Sequence, residues 1–244
     1  MLDLSLIIPV KNEAENVGPL IEEIAETCQA QDLSFEVVCV DDGSTDDTVQ
    51  RVIRLKESYP WLRLVCHRRS YGQSAAVRTG VMCAHGELIM TLDGDGQNDP
   101  TYIPVFFKIW KEADPSIGLV AGQRLGRAGT WWKKLQSSIA NGIRRSLLKD
   151  SARDTGCGLK LLPRDLFLKL PYFDGLHRFL PALVKREGRD ILYVDVQDRT
   201  RLSGRSHYTA GNRLWVGLGD MFMVFWLMRR YRPVPPGHEG IRNV

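Results

Sequence analysis

Long apolar runs are nearly absent from this chain. The longest, Leu214 to Met228, covers 15 residues and is interrupted by Asp220, whereas a helix that spans a bilayer needs about 20. No Cys-x-x-Cys pair occurs among Cys28, Cys39, Cys66, Cys83 and Cys157. An odd set in mostly apolar surroundings such as Val37-Val38-Cys39-Val40 excludes a disulfide framework and a zinc site, and predicts reduced core thiols in a reducing compartment. The N-terminal stretch lacks a basic region, a long apolar core and a small-residue cleavage site; Ser5-Leu6-Ile7-Ile8-Pro9 is strand-like, so the protein is expected to be made and kept in the cytosol. No Gly-x-Gly-x-x-Gly follows the first apolar run and no Gly-x-x-x-x-Gly-Lys-Ser/Thr occurs anywhere, which argues against ordinary dinucleotide and P-loop sites. Excess charge of one sign is missing too: a formal net charge of +4 over 244 residues does not call for nucleic acid.

What is present fits one α/β domain with an appendage, since 43% hydrophobic and 25% charged residues supply a sizeable core. Strands are predicted at Leu4 to Ile8, Phe35 to Val40, Leu62 to Cys66 and Glu87 to Leu92. Helices are predicted at Asn16 to Thr27, Asp46 to Glu57 with Ser44 or Thr45 as cap, and Ser74 to Ala84. Such alternation indicates right-handed βαβ units and a mostly parallel sheet, whose ligands bind at the carboxyl ends of the strands. Three strands end in polar sequence there: Pro9-Val10-Lys11-Asn12-Glu13, Asp41-Asp42-Gly43-Ser44-Thr45-Asp46 and Asp93-Gly94-Asp95. Two acids one residue apart can share a hard cation. An EF-hand reading of Asp93, Asp95 and Gln97 fails, because Asn98 stands where the loop needs Gly and Pro104 where it needs a bidentate Glu. An acidic ligand edge suits a sugar, a ribose and a metal ion.

Six segments in order carry a resemblance. Ile7 to Glu13, Val40 to Asp46, Gly72-Gln73-Ser74-Ala75-Ala76 and Asp93 to Gln97 resemble the inverting family 2 glycosyltransferases of the GT-A fold. Asp154 to Lys160 and Gly204-Arg205-Ser206-His207-Tyr208 narrow this to the polyprenyl-phosphate branch, typified by dolichol-phosphate mannose synthase and bacterial undecaprenyl-phosphate glycosyltransferases. The resemblance implies a Rossmann-like α/β fold with a mostly parallel central sheet, to which the C-terminal stretch adds an expected membrane-interface helix. Residues 1–123 would form the nucleotide-sugar and metal-binding half, 124–210 the acceptor-binding half with a mobile loop, 211–232 an amphipathic membrane-associating helical segment and 233–244 a flexible tail.

By the same resemblance, Pro9, Val10, Asn12, Glu13, Asp41 and Asp42 would surround the base and ribose of a nucleotide sugar. Gly72, Gln73, Gly94, Arg201 and His207 would complete the donor site, with Gly72 and the helix start offering N–H groups to phosphate. Asp93, Asp95 and Gln97 would hold Mg²⁺ or Mn²⁺ against the diphosphate, stabilising the leaving group. Arg124, Lys134 and Ser138 would meet the acceptor phosphate, and Asp93, Asp95 and Arg124 are the candidate catalytic residues. Lys11 stands where the family usually has Tyr and His207 where it has Lys, so weaker or more pH-dependent donor binding is expected. GDP-mannose is the favoured donor, a UDP-hexose the alternative.

Trp215, Phe222, Phe225 and Trp226 beside Arg229-Arg230-Tyr231-Arg232 suit a helix lying in the membrane interface. A peripheral enzyme on the cytoplasmic face, in bacteria the inner membrane, is therefore expected. Other readings remain: a core helix at that position, a glycosyltransferase with a different acceptor, or a noncatalytic nucleotide-binding membrane module. A nucleotidyltransferase is disfavoured because Pro9 to Asn16 is no Gly- and Arg-rich phosphate loop.

Overall fold

The computed structural model describes residues 2–31, 33–125, 148, 152, 154–199 and 213–232. Strands β1 (Leu4–Val10), β2 (Phe35–Asp41), β3 (Leu62–Cys66) and β4 (Leu88–Thr91) alternate with helices α1 (Val17–Gln29), α2 (Thr48–Ser58) and α3 (Gln73–Cys83). After β4 come α4 (Tyr102–Glu112), β5 (Ile117–Arg124), β6 (Lys160–Pro163), α5 (Arg164–Lys169), α6 (Leu176–Arg186), β7 (Asp190–Val196) and α7 (Arg213–Arg230). They build a seven-stranded sheet in the order β3-β2-β1-β4-β6-β5-β7. Every pairing is parallel except those of β6, which runs antiparallel to both β4 and β5.

Period-two alternation assigns the faces of the sheet. Leu4, Leu6, Ile8 and Val10 of β1 join Val37 and Cys39 of β2 under α1 and α4, with Ile21, Ile24 and Phe106 buried against them. Ile7 with Val38 and Val40 faces the opposite layer, which contains Val77 and Val81 of α3 and Leu180 and Leu183 of α6. Each fully buried Leu, Ile or Phe stabilises the fold by about 1.5–3 kcal/mol. Both layers cover the sheet, so the β1 and β2 runs are apolar on two sides.

Two details differ from the sequence reading. Neither Ser44 nor Thr45 caps α2: the Asp46 carboxylate accepts the Thr48 N–H at 3.0 Å, while the Ser44 hydroxyl accepts the Asn12 N–H at 2.9 Å and the Thr45 N–H donates to the Asn12 side chain at 2.8 Å. These hydroxyl residues tie the β1 and β2 loops together instead. All five cysteines are free, but only Cys28, Cys39 and Cys157 are buried; Cys66 is exposed at the end of edge strand β3 and Cys83 is half-buried.

The strand order reverses between β1 and β4. From β1 the chain proceeds through β2 to β3 on one side, then returns to place β4 on the other. A crevice opens at such a switch point, outside the carboxyl ends of the strands.

Candidate active site

The crevice is a cleft of about 740 Å³ lined by Pro9, Val10, Lys11 and Glu13 from the β1 end, Asp93, Gly94, Asp95 and Gln97 from the β4 end, and Arg124 from β5. Gly72, Gln73, Asp42, Lys160, His177 and Arg178 complete the wall. The ends of β1 and β4, adjacent in the sheet, and of β5, one strand further across β6, thus bring together the β1 motif, the Asp-x-Asp pair and Arg124.

At the β4 end, Asp93 is held from three sides. Its N–H donates to Asn98 Oδ1 at 2.9 Å, and its carboxylate Oδ1 accepts Gln73 Nε2–H at 2.8 Å. Its other oxygen lies against Gly158, where an added Cβ would come within 2.6 Å of Asp93 Oδ2 and 2.3 Å of Asn98 Oδ1. Only glycine leaves room there. Burial, with the nearby Asp95 charge adding to it, pushes the Asp93 carboxyl up to about 6. A desolvated carboxyl beside a second one gains from a divalent cation. Together with the Gln97 amide, these oxygens are a donor set whose chemistry fits a hard divalent cation such as Mg²⁺ or Mn²⁺.

The loop carrying Gly72 is organised by Asp42. Oδ1 of this buried carboxylate accepts from His67 Nδ1 and the Tyr71 N–H, both at 2.8 Å, and Oδ2 accepts from Ser70 Oγ at 2.7 Å and the Gly72 N–H at 2.8 Å. Although burial alone would raise it, these donors hold the Asp42 carboxyl below the usual range. Four bonds occupy both oxygens, so Asp42 shapes the wall rather than offering free acceptors to a ribose. The Gly72 N–H, expected on phosphate, is likewise engaged by Asp42; Gln73 instead reaches Asp93.

Asn12 and Asp41 do not line the cleft. Asn12 bridges the two loops with its φ at 55°, and Asp41 Oδ2 accepts the Gly43 and Ser44 N–H groups at 3.1 Å each. Asp41 Oδ1 is buried with no hydrogen-bond partner among the described residues. An unpaired buried acceptor of this kind costs about 1–3 kcal/mol until a donor reaches it. Glu13 does line the cleft, its carboxylate accepting Asn16 Nδ2–H at 2.6 Å.

On the far side, Arg124 forks onto Asp154, with Nε and Nη2 at 2.5 and 3.0 Å from its two oxygens, and Nη1 donates to Asp198 at 3.1 Å. Its positive charge is therefore compensated in place by two carboxylates. The Lys160 ammonium is buried, donates to the Cys157 carbonyl and is held below its ordinary pKa by desolvation. Lys134, Ser138, Arg201 and His207, expected on the acceptor phosphate and donor diphosphate, lie outside the described residues. His177, Arg178 and His67 were not singled out from the sequence. Their signal is positional only, at the start of a helix or the end of a strand facing the carboxyl edge.

The architecture is that of GT-A glycosyltransferases. A mannosyltransferase from Pyrobaculum calidifontis, solved in complex with GDP-Man and Mn²⁺, superposes with a TM-score of 0.66 at 23% identity, covering 96% of this chain and 66% of that one. Glucosyl-3-phosphoglycerate synthase from Mycobacterium tuberculosis, solved with Mn²⁺, UDP-glucose and phosphoglyceric acid, gives 0.66 at 18% identity over 95% of this chain and 81% of the other. The sequence pattern of glycosyl transferase family 2 matches residues 5–170, and the chain belongs to that family. It is 32% identical over 237 residues to a dodecaprenyl-phosphate galacturonate synthase of Rhizobium johnstonii, covering 95% of this chain and 69% of the relative. An undecaprenyl-phosphate 4-deoxy-4-formamido-L-arabinose transferase of Edwardsiella ictaluri is 29% identical over 207 residues, or 84% of this chain. This chain spans 62% of that relative's length.

Proposed function

We propose that the protein is a metal-dependent inverting glycosyltransferase that moves a sugar from a nucleotide sugar to a polyprenyl phosphate at the cytoplasmic face of a membrane. The observation that carries this reading is the cleft at the β1/β4 switch point, where the Pro9 to Glu13 loop, the Asp93-x-Asp95 pair and Arg124 share one edge. The names of the relatives support a polyprenyl-phosphate acceptor, and the Mn²⁺ complexes of the structural neighbours support a divalent ion.

The base would lie over Pro9 and Val10. Asp93, Asp95 and Gln97 would hold the cation, which when bound stabilises the charge that grows on the departing diphosphate. An acceptor phosphate monoester has its second pKa near 6 and is largely ionised at neutral pH, so it needs no general base. One of its oxygens attacks the anomeric carbon from the side opposite the diphosphate, the carbon–oxygen bond to the diphosphate breaks, and the configuration inverts. Arg124 would meet the incoming phosphate, which competes with Asp154 and Asp198 for the guanidinium. Catalysis then consists of positioning and charge compensation.

GDP-mannose is the donor favoured from the sequence; galacturonate and 4-deoxy-4-formamido-arabinose in the relatives' names extend the set to be tried. The test is transfer of labelled sugar from GDP- and UDP-linked donors to undecaprenyl phosphate by the purified protein with Mg²⁺, Mn²⁺ or EDTA. Metal-dependent product from one donor is expected, with at least a hundredfold loss in Asp95→Ala. Full activity of Asp95→Ala refutes the scheme, and metal-dependent nucleotide binding without product points to another acceptor or a binding role.

A further inference from the structure

The first turn of α6 carries a cleft residue to which this reaction scheme gives no task. Gly175 precedes the helix in the left-handed region, at φ 89°, and the turn it makes buries Leu176 in the core while His177 lines the cleft. His177 Nδ1 lies 2.7 Å from Ser74 Oγ, in the first turn of α3. That hydroxyl is fully buried and already accepts the Gly175 N–H at 3.0 Å. Its own proton therefore goes to Nδ1, because the opposite tautomer would leave a hydroxyl proton unused where water does not reach. The ring carries its hydrogen on Nε2. Burial, reinforced by the fields of Lys160 and Arg178, pushes the imidazole down to about 3, so it is neutral at physiological pH. Among the described residues Nε2 has no hydrogen-bond partner, and it is not among the atoms sealed from solvent. The cleft is where it opens.

The position of this N–H along the cleft follows from its neighbours. Consecutive residues of α3, Gln73 and Ser74, bond to Asp93 and to His177 respectively. Lys160, at the start of β6, acts electrostatically on both Asp93 and His177. His177 and Asp93 are thus both tied to the first turn of α3 and both lie in the field of Lys160. With the base at β1 and the diphosphate at the β4 carboxylates, the sugar comes next.

We propose that His177 is a specificity-determining residue whose Nε2–H donates a hydrogen bond to an oxygen of the transferred sugar. This rests on the reading of the cleft as a nucleotide-sugar site. A neutral single donor locked in one tautomer selects for an acceptor oxygen at one sugar position, which a mobile cation would not do. The nucleoside diphosphate portion makes no use of it.

Calorimetry in Mn²⁺ tests the assignment by comparing UDP and GDP with UDP-glucose, UDP-galacturonic acid and GDP-mannose on the wild type, His177→Ala and His177→Gln. For the nucleotide sugar that the wild type binds most tightly, His177→Ala should weaken binding about tenfold, equivalent to about 1.4 kcal/mol. The matching nucleoside diphosphate should change less than twofold, and Gln, whose amide can place an N–H near the Nε2 position, should recover most of the loss. A second arm needs no variant: among monodeoxy analogues of that sugar, one should lose the same tenfold on the wild-type protein. Equal effects on nucleotide and nucleotide sugar, or no sensitive deoxy position, overturn the role of His177. Failure of the wild type to bind any of the five compounds instead overturns the nucleotide-sugar reading on which it rests.

Discussion

Asp42 is a carboxylate whose value lies in what it fixes rather than what it binds. Replacing it with Asn puts an amide N–H₂ where two donors now converge, and should destabilise the protein by about 1–3 kcal/mol in urea unfolding at pH 7. Because the folded-state pKa of Asp42 is held below its ordinary 3.8, its stabilisation is present above that value and is lost as pH falls through the lower folded pKa. The gap between wild type and Asp42→Asn should therefore narrow below pH 4. Gly158→Ala should act differently: a methyl within 2.6 Å of Asp93 Oδ2 displaces the carboxylate. Mn²⁺-dependent nucleotide binding should fall at least tenfold, measured by calorimetry, while binding in EDTA is unchanged. At this scale the cleft positions of Asp93, Asp95, Pro9 and Glu13 were legible in the sequence, because they sit in short contiguous motifs at strand ends. The sequence did not disclose His177, whose partner Ser74 is 103 residues away and whose tautomer depends on a third residue, Gly175.

Elements were legible where periodicity was strong. β1, β2, β3 and β4 fall within one or two residues of their predicted spans, since each is an apolar run bounded by polar turns. β6 was not anticipated as an antiparallel partner: Lys160–Pro163 is four residues long and its direction is set by where the chain has come from. Helix α7 is two-sided. Val224 is buried, and Asp220, the residue that interrupts the apolar run, faces the first turn of α6, 3.2 Å from a Cβ placed on Gly175 and within the field of Arg178. Phe222 and Trp226 are 64% and 56% exposed on another side, with Arg229 stacked over Phe225 and Arg230 over Trp226. Among the described residues no helix is long and apolar enough to cross a membrane. We infer that α7 docks on an anionic lipid surface through the Phe222 and Trp226 side. At about 1 kcal/mol per basic residue, Arg229→Gln with Arg230→Gln should weaken sedimentation with phosphatidylglycerol vesicles roughly thirtyfold. Phe222→Ser with Trp226→Ser should abolish it without lowering the melting temperature, because neither side chain is in the core.

For the whole molecule, the cleft is closed by β1, β4, β5, β6, α3 and α6 together, so a ligand there stabilises most of the fold. At a hundred times its dissociation constant a nucleotide sugar with Mn²⁺ adds about 2.7 kcal/mol. For a chain of this size that is roughly a 5–10 °C rise in melting temperature, which EDTA should largely remove. The same topology governs the order of assembly during synthesis. β3, β2, β1 and β4 are contiguous in sequence and adjacent in space, so the donor pole can form as soon as residue 91 is clear of the ribosome. β4 then has a bare edge, and β5, although already made, has no place in the sheet, because its neighbours are β6 and β7. At 5–20 residues per second the wait for Lys160–Pro163 is roughly 3–14 s, during which the exposed ladder of β4 is a template for pairing with other chains. Nascent chains stalled shortly before Lys160 should therefore associate with one another and recruit chaperones, whereas those released after β7 should not.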